Sequence, residues 1–332
     1  MVTMKDVAKM SGVSQPTVSR VINGNTAVNP EIKAKVMACI RKLDYQPNII
    51  AQSLVGNKTL LIGVIITDIS NPFFADIIKA IENETANYGY SIILCNSDGN
   101  LENEKKYINI LKSYKVDGIL IVPSNAKDKY FKSLKNINVP IVVITQDVQD
   151  FSCVSISHYI GGKKVARHLI DMGYSKFVFV GYDCDEKERG FKEEIEKEGF
   201  NLIDKYTFFN KEKINSVTVA LKEFILNDNL NGEGIGIFTH NDIEALMVLH
   251  VLKELKIKIP EKVALVGFDN TYITKEVSPS ISSVVQLVEI IGKKGVEMLI
   301  DKINNNEEVE EKHVILEPRL VVRESSVKSI EY

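Results

Sequence analysis

The sequence contains no tryptophan, and only 4 cysteines among 332 residues. Cys39, Cys95, Cys153 and Cys184 are scattered, form no CxxC pair and have no cluster of histidines beside them. Such spacing argues against a disulfide-framed scaffold and against a zinc site; it predicts buried thiols in a reducing compartment. No apolar run approaches the roughly 18 residues of a membrane span. The longest, such as LLIGVII, have the length of a strand. The opening MVTMKDVAKM lacks the apolar stretch of a secretory signal, so a cytoplasmic location and no membrane partner are expected. Catalytic signatures are missing as well. HExxH and G-x-S-x-G do not occur, and the histidines at 158, 168, 240, 250 and 313 are dispersed. GEGIGI (232–237) has its glycines entering a strand instead of leaving one for a helix, and GKKG (292–295) is not a Walker loop. The expectation is a protein that is not an enzyme and carries no cofactor and no metal.

What is present is ordinary in bulk and uneven in distribution. Hydrophobic residues make up 45% of the chain and charged residues 26%, with a formal net charge of −3. Residues 1–59 hold eight Lys/Arg (5, 9, 20, 33, 35, 41, 42, 58) against three acids (6, 31, 44), a local charge of +5 that leaves −8 for the remainder. Charges are screened over about 8–10 Å in physiological salt, so a polyanion near the front end feels the basic segment and little of the acidic body. The asymmetry also argues for a separate N-terminal module.

That module reads as three short helices. Thr3 with Asp6, Ser14 with Pro16, and Asn29 with Pro30 and Glu31 are start signals. Val18, Val21 and Ile22 form one apolar stripe; Val36, Cys39, Ile40 and Leu43 form another. Two helices joined through Gly12 and closed by a third describe a helix-turn-helix headpiece, placed at 1–46. The following NIIAQSLVGNK has a helical pattern but only about two turns, too short to be stable alone; 47–59 is therefore a linker, helical when held. From Leu60 the pattern changes to buried strands alternating with amphipathic helices: LLIGVII, SIILC, DGILIV, PIVVI, KFVFVG, GIGIF and VALVGF. This predicts parallel sheets covered on both faces, in two doubly wound α/β lobes with a ligand cleft at the strands' carboxyl ends. NNNEEVEEK (304–312) reads as a solvated loop leading into a hairpin.

MKDVAKMSGVSQPTVSRVING, LDYQPNIIAQSLVGNKTLLIGVIITDISNPFFADI, FTHNDIEALMVL, VALVGFDN and EPRLVVRESS, in order and in register, resemble the LacI/GalR family of bacterial transcription regulators over essentially the whole chain. The resemblance implies an effector-binding and dimerisation domain over 60–332 of periplasmic-binding-protein type. Its N-lobe would be about 60–157 and 287–318, and its C-lobe about 158–286 and 319–332. It further implies a sequence-specific DNA-binding regulator, expected to be a repressor. Such a protein binds a pseudo-palindromic double-stranded operator as a homodimer and answers to a small, sugar-like effector. On the second helix, Gln15, Pro16, Ser19 and Asn23 face outward and Arg20 sits near that side's edge. Gln bonds adenine bidentately and Arg guanine, whereas Pro16 offers only apolar contact. Gln15, Pro16 and Arg20 are thus the expected base readers. Thr3, Thr17, Ser19, Asn23 and Asn29 match positions that hold phosphates. Leu54 aligns with the residue that wedges into the minor groove when paired hinge helices bend the duplex; the alternative is packing on the regulatory body. The chain ends at Tyr332 without leucine heptads, so a dimer and not a tetramer is expected.

For the cleft, the resemblance implies ligand contacts from Asn71, Phe73, Phe74, Thr145, Lys187, Asn241, Asp269 and Gln286. The two phenylalanines could instead pack in the core, Asp269 could cap a turn, and Lys187 could be a solvated helix residue. The chain also departs from the family pattern. Thr145-Gln146 stand where Asp-Arg is frequent, and Lys187 stands for an arginine, losing the planar fork that grips paired oxygens. A phosphorylated metabolite or a protein corepressor is therefore an alternative controller. Some relatives dock serine-phosphorylated HPr through a Tyr-Asp pair; here Glu289-Ile290 occupy those places, and Glu289 would repel a phosphoprotein. The rival of another class is an extracytoplasmic solute-binding protein, which lacks a basic headpiece.

Overall fold

The computed structural model describes residues 2–22, 28–45, 58–126, 128–181, 186–207, 219, 221–225, 234–305 and 310–327. Asn23, Leu54 and most of the expected hinge segment lie outside the described residues. The chain divides into two compact units, Met1–Leu60 with Lys115–Asp117, and Leu61–Tyr114 with Gly118–Tyr332.

In the first unit, α1 (Met4–Ser11), α2 (Gln15–Ile22) and α3 (Pro30–Leu43) begin where polar side chains satisfy otherwise orphaned N–H groups. Thr3 and Asp6 form a reciprocal capping box. Ser14 Oγ accepts from Thr17 N at 3.3 Å and Asn29 Oδ1 from Glu31 N at 2.8 Å. Gly12, at φ 67°, ends α1 in the left-handed conformation that glycine adopts without strain. Val7, Ala8, Val18, Val21, Val36 and Tyr45 are buried together as its core. In the same unit, Asp117 accepts from the backbone N–H of both Thr59 and Leu60 at 2.9 Å.

The second unit holds two six-stranded sheets. The first is built from β1 (Leu61–Ile66), β2 (Ser91–Asn96), β3 (Gly118–Ile121), β4 (Ile141–Ile144), β5 (Ser152–Ile156) and β11 (His313–Leu316). Its order is β11-β5-β4-β3-β1-β2, with every pairing parallel. Helices α4 (Pro72–Asn87), α5 (Leu101–Ser113) and α6 (Lys129–Ser133) fall between its strands in sequence. The second sheet takes β6 (Lys176–Gly181), β7 (Leu202–Thr207), β8 (Ile235–Thr239), β9 (Val263–Asp269), β10 (Ser282–Val285) and β12 (Arg319–Val321). Its order is β12-β10-β9-β8-β6-β7, parallel except for β10 with β12. Helices α7 (His158–Asp171), α8 (Glu186–Lys197), α9 (Asp242–Glu254) and α10 (Ile273–Glu276) accompany it, and α11 (Val288–Asn304) returns the chain to the first sheet.

The inner strands are apolar on both faces because helices cover both faces: β4, β5 and β9 are buried at every residue, whereas the edge strands β2 and β11 keep exposed positions. The chain passes between the sheets after β5, after β10 and between β11 and β12. This corrects the expected hairpin at the C-terminal end. β11 and β12 join different sheets, and Glu317-Pro318 form a crossover where a turn was anticipated. Helices α7 and α8 are in backbone contact. A Cβ built on Gly162 would lie 2.0 Å from the Lys187 carbonyl oxygen, and one on Gly190 1.9 Å from that of Tyr159.

Candidate DNA face and ligand cleft

On the headpiece, the inward face of α2 is spent on Val18 and Val21, which leaves Gln15, Pro16 and Arg20 exposed and Thr17 and Ser19 half-buried. Several expected phosphate contacts already have structural work. The Thr3 hydroxyl donates to Asp6 at 2.7 Å, Thr17 Oγ1 lies 2.9 Å from Ser14 Oγ, and Asn29 caps α3. Two hydrogen bonds from Thr3 hold the Asp6 carboxyl below its ordinary pKa. The surface so formed is a capped helix presenting an amide, an apolar ring and a guanidinium.

In the second unit, the expected ligand residues lie at or just beyond the carboxyl ends of parallel strands, or open the helix that follows one. Asn71 follows β1, Thr145 follows β4, Lys187 lies in the first turn of α8 after β6, and Asn241 follows β8. Asp269 ends β9, and Gln286 follows β10. Four of these converge. The Asp269 carboxylate accepts from Gln286 Nε2 at 2.5 Å, and the Lys187 ammonium and the Asn71 amide both favour its charged form. Asn71 follows a strand of the first sheet and Asp269 ends a strand of the second. The Asn71 oxygen is used separately, accepting from Phe73 N at 3.0 Å.

Lys187 is not the solvated helix residue that its sequence context allowed. It is 3% exposed, donates to the His240 carbonyl at 2.8 Å and stands 4.0 Å over the Phe268 ring. Phe73 is buried and lines a cavity of about 260 Å³ with Asp76, Asp269, Thr271, Leu287 and Glu289. Phe74 meets Phe73 edge-on at 5.1 Å and packs against the core. Asn241 is engaged as the cap of α9 in a reciprocal box with Glu244. Thr145 is buried, its backbone bonded to Val154, and Gln146 donates to the Pro123 carbonyl.

Several residues that shape this region escaped the sequence reading. Asp242 is 1% exposed and receives Thr271 N at 2.7 Å, Thr271 Oγ1 at 2.9 Å and Ser283 Oγ at 2.6 Å. His158, first residue of α7, lies 3.4 Å from Gln286 Oε1 and edge-on to Phe268. Thr145, Asp269, Asn270 and Leu287 have positive φ (69°, 112°, 56° and 53°) at strand ends or crossovers, conformations that cost non-glycine residues energy. Asp242 had one sequence signal, an acid directly after a helix cap. The backbone strain had none, because none of these residues is glycine.

Burial, with nearby Asp242, pushes Asp269 up to about 7 against the pull of Lys187 and of the Gln286 and Asn71 amides. Burial likewise raises Asp242 to about 6, against its three hydrogen bonds and Arg323. Between about pH 4 and pH 7 the folded protein therefore holds protons that ordinary carboxylates of the unfolded chain release, and stability falls as pH climbs through that window. Asp269→Asn removes one of these titrations. Its urea midpoint is expected to vary less between pH 4 and 7 than that of the unaltered protein; equal slopes contradict the assignment.

The sequence profile of bacterial regulatory proteins of the lacI family matches residues 3–48, and that of the periplasmic binding protein-like domain matches residues 166–326. The catabolite control protein A of Priestia megaterium is 33% identical over 333 residues, covering 98% of this chain and 99% of that protein. The chain belongs to the LacI family. The HTH-type transcriptional regulator RegA of Clostridium saccharobutylicum is 31% identical, again over 98% of this chain and 99% of its own. A periplasmic binding protein/LacI transcriptional regulator from Alkaliphilus metalliredigens QYMF was solved complexed with D-xylulofuranose. It is 31% identical with a TM-score of 0.72, covering 81% of this chain and 99% of that one. As a LacI-family member this protein is a DNA-binding transcriptional regulator. Among the described residues no helix is long and apolar enough to cross a membrane.

Proposed function

We propose that this LacI-family regulator is a cytoplasmic repressor, not an enzyme. It binds a pseudo-palindromic operator as a homodimer and is controlled by a neutral, sugar-like ligand between its lobes. The division of labour is headpiece 1–46, hinge 47–59 and effector domain 60–332. Gln15, Pro16 and Arg20 read bases; Thr3, Thr17, Ser19, Asn23 and Asn29 position the helix on phosphates; Leu54 wedges the minor groove. Asn71, Phe73, Lys187, Asp269 and Gln286 receive the ligand, with Phe74, Thr145 and Asn241 around them.

The observation that carries the ligand reading is the cavity of about 260 Å³, lined by Phe73 and Asp76 from beyond a strand of the first sheet and by Asp269 and Thr271 from a strand end of the second. Carboxyl groups in its lining accept hydrogen bonds, and a polyol supplies several hydroxyl donors. A ligand changes DNA affinity only if it favours one lobe arrangement over another, and a cavity lined from both sheets makes ligand binding and lobe arrangement interdependent. The xylulofuranose complex of the Alkaliphilus neighbour supports a sugar. The lining favours a neutral one, since Asp76 and Glu289 add two carboxylates beside an Asp269 held toward neutrality, and these oppose a phosphorylated ligand.

Thermal unfolding of the full chain with panels of neutral pentoses and hexoses, and of their phosphates, tests this. A neutral sugar at about 100 times its dissociation constant stabilises the native state by about 2.7 kcal/mol, a rise of roughly 5–10 °C. Shifts from phosphorylated compounds alone, or from none, contradict the proposal.

A further inference from the structure

Cys153 looked isolated in the sequence, 160 positions from His313. The parallel pairing of β5 with β11 sets these two residues in register, and the loop after β4 brings Asp147 to the same point. Cys153 Sγ lies 3.2 Å from His313 Nδ1 and 3.3 Å from Asp147 Oδ1, and His313 Nδ1 lies 2.8 Å from Asp147 Oδ1. The three donor atoms fall within 4.8 Å of one another. Cys153 is fully buried beneath them, whereas His313 and Asp147 are exposed and leave the outer side open.

We propose that Asp147, Cys153 and His313 form a binding site for a borderline-soft divalent transition metal, with zinc as the best fit. The arrangement is not that of a catalytic triad. A triad histidine presents one nitrogen to its nucleophile and the other to the carboxylate, but here Sγ and Oδ1 both approach Nδ1. Without a cation, the thiol and the imidazole offer at most two protons, to Asp147 Oδ1 or from Sγ to Nδ1, so at least one of the three short contacts is left without a proton. A cation at the centre satisfies all three donors at once. The donor set of one sulfur, one imidazole nitrogen and one carboxylate oxygen suits zinc and excludes calcium and magnesium, which take oxygen ligands.

The geometry is close to what zinc needs. Tetrahedral coordination at metal–ligand distances of about 2.0–2.3 Å places donor atoms about 3.4–3.6 Å apart. The observed 2.8–3.3 Å requires each pair to spread by a few tenths of an ångström. Nearby Glu311 is engaged elsewhere, accepting from Ser152 at 2.6 Å and from Lys302 at 2.8 Å, so three protein donors and one open position, filled by water, result. On binding, the Cys153 thiol proton passes to solvent and the sulfur lone pair goes to the metal; no oxidation is involved. The site sits at the first residues of β5 and β11, away from their carboxyl ends, and ties the edge strand β11 to the loop that begins at Thr145.

The test uses the full-length, untagged, reduced protein stripped with chelator. Titration with Co²⁺ is expected to give a thiolate-to-cobalt charge-transfer band that saturates at one ion per chain and disappears when Zn²⁺ is added. Cys153→Ser abolishes the band. His313→Gln, at an exposed position where folding is not at stake, weakens Zn²⁺ binding by about tenfold or more in competition with a chromophoric chelator. Absence of the band in the unaltered protein overturns the proposal. So does a band that persists in Cys153→Ser, which would place the metal on Cys39, Cys95 or Cys184, and so does equal Zn²⁺ affinity in His313→Gln. Should Cys153→Ser fail to fold, the affinities of His313→Gln and Asp147→Asn decide the matter.

Discussion

Arg20→Ala is expected to lower operator affinity about 30-fold or more. A single bidentate contact between arginine and guanine is worth about 1–3 kcal/mol of discrimination. In a symmetric dimer on a two-fold operator the contact is made twice, so each substitution is felt twice. The headpiece should remain folded, because Arg20 is exposed whereas the core is built from Val7, Val18, Val21 and Val36 on the opposite faces of the helices. Binding to unrelated duplexes should change far less, since that term comes from phosphate contacts. Fluorescence anisotropy on the selected operator and on a scrambled duplex separates the two. A uniform loss on both sequences would mean that Arg20 holds phosphate and does not read a base.

The second large effect lies in the regulatory domain and involves no charge. Gly190→Ala sets a methyl group 1.9 Å from the Tyr159 carbonyl oxygen and 2.8 Å from its carbon. Those atoms are helix backbone and cannot rotate away, so α7 and α8 must separate. A cost of about 2–4 kcal/mol, or roughly 5–15 °C in the unfolding midpoint, is expected from such overpacking. Gly89→Ala is the comparison: at φ 75° with nothing within 4 Å of a built Cβ, it should lose only about 1 kcal/mol from backbone strain. The functional consequence follows from the same contact. Gly162 closes on the carbonyl of Lys187, the residue whose ammonium lies over Phe268 beside Asp269. Prising the helices apart moves Lys187, and a Gly190→Ala protein that still folds should respond more weakly to ligand. Equal midpoints for the two alanine variants would contradict the backbone interlock.

What could be read from the sequence is the part governed by neighbours in the chain. Thr3 with Asp6, Ser14 with Thr17 and Asn29 with Glu31 are contacts two or three residues long, and each marks a helix start that the structure contains. Continuous apolar runs such as KFVFVG and VALVGF announced buried parallel strands for an equally local reason: both faces must be covered. The misses share a different cause. That Lys187 is buried depends on Phe268 and His240, which come to it from other strands. The hairpin expected after NNNEEVEEK failed because β11 and β12 find partners more than 30 residues away, in β5 and β10. The encounter of Cys153 with His313 is a fact of strand register and is invisible to any spacing rule. Family resemblance singled out the expected ligand residues, which the structure sets at or just beyond strand ends. It did not reveal that Asp269 would rise toward neutrality, since that shift is a property of burial.

The central claim is that a weakly basic front end gains specificity only when two copies engage a symmetric site. It is tested most directly by comparing the affinity of the full-length protein for a palindromic operator, recovered by selection from random duplexes, with its affinity for one half-site in otherwise scrambled DNA, at physiological salt. The account predicts binding of one dimer to the full operator at least about 10³-fold tighter than to the half-site duplex, which leaves one headpiece on non-specific contacts alone. Equal affinities, or selection of a sequence with no two-fold symmetry, would contradict it.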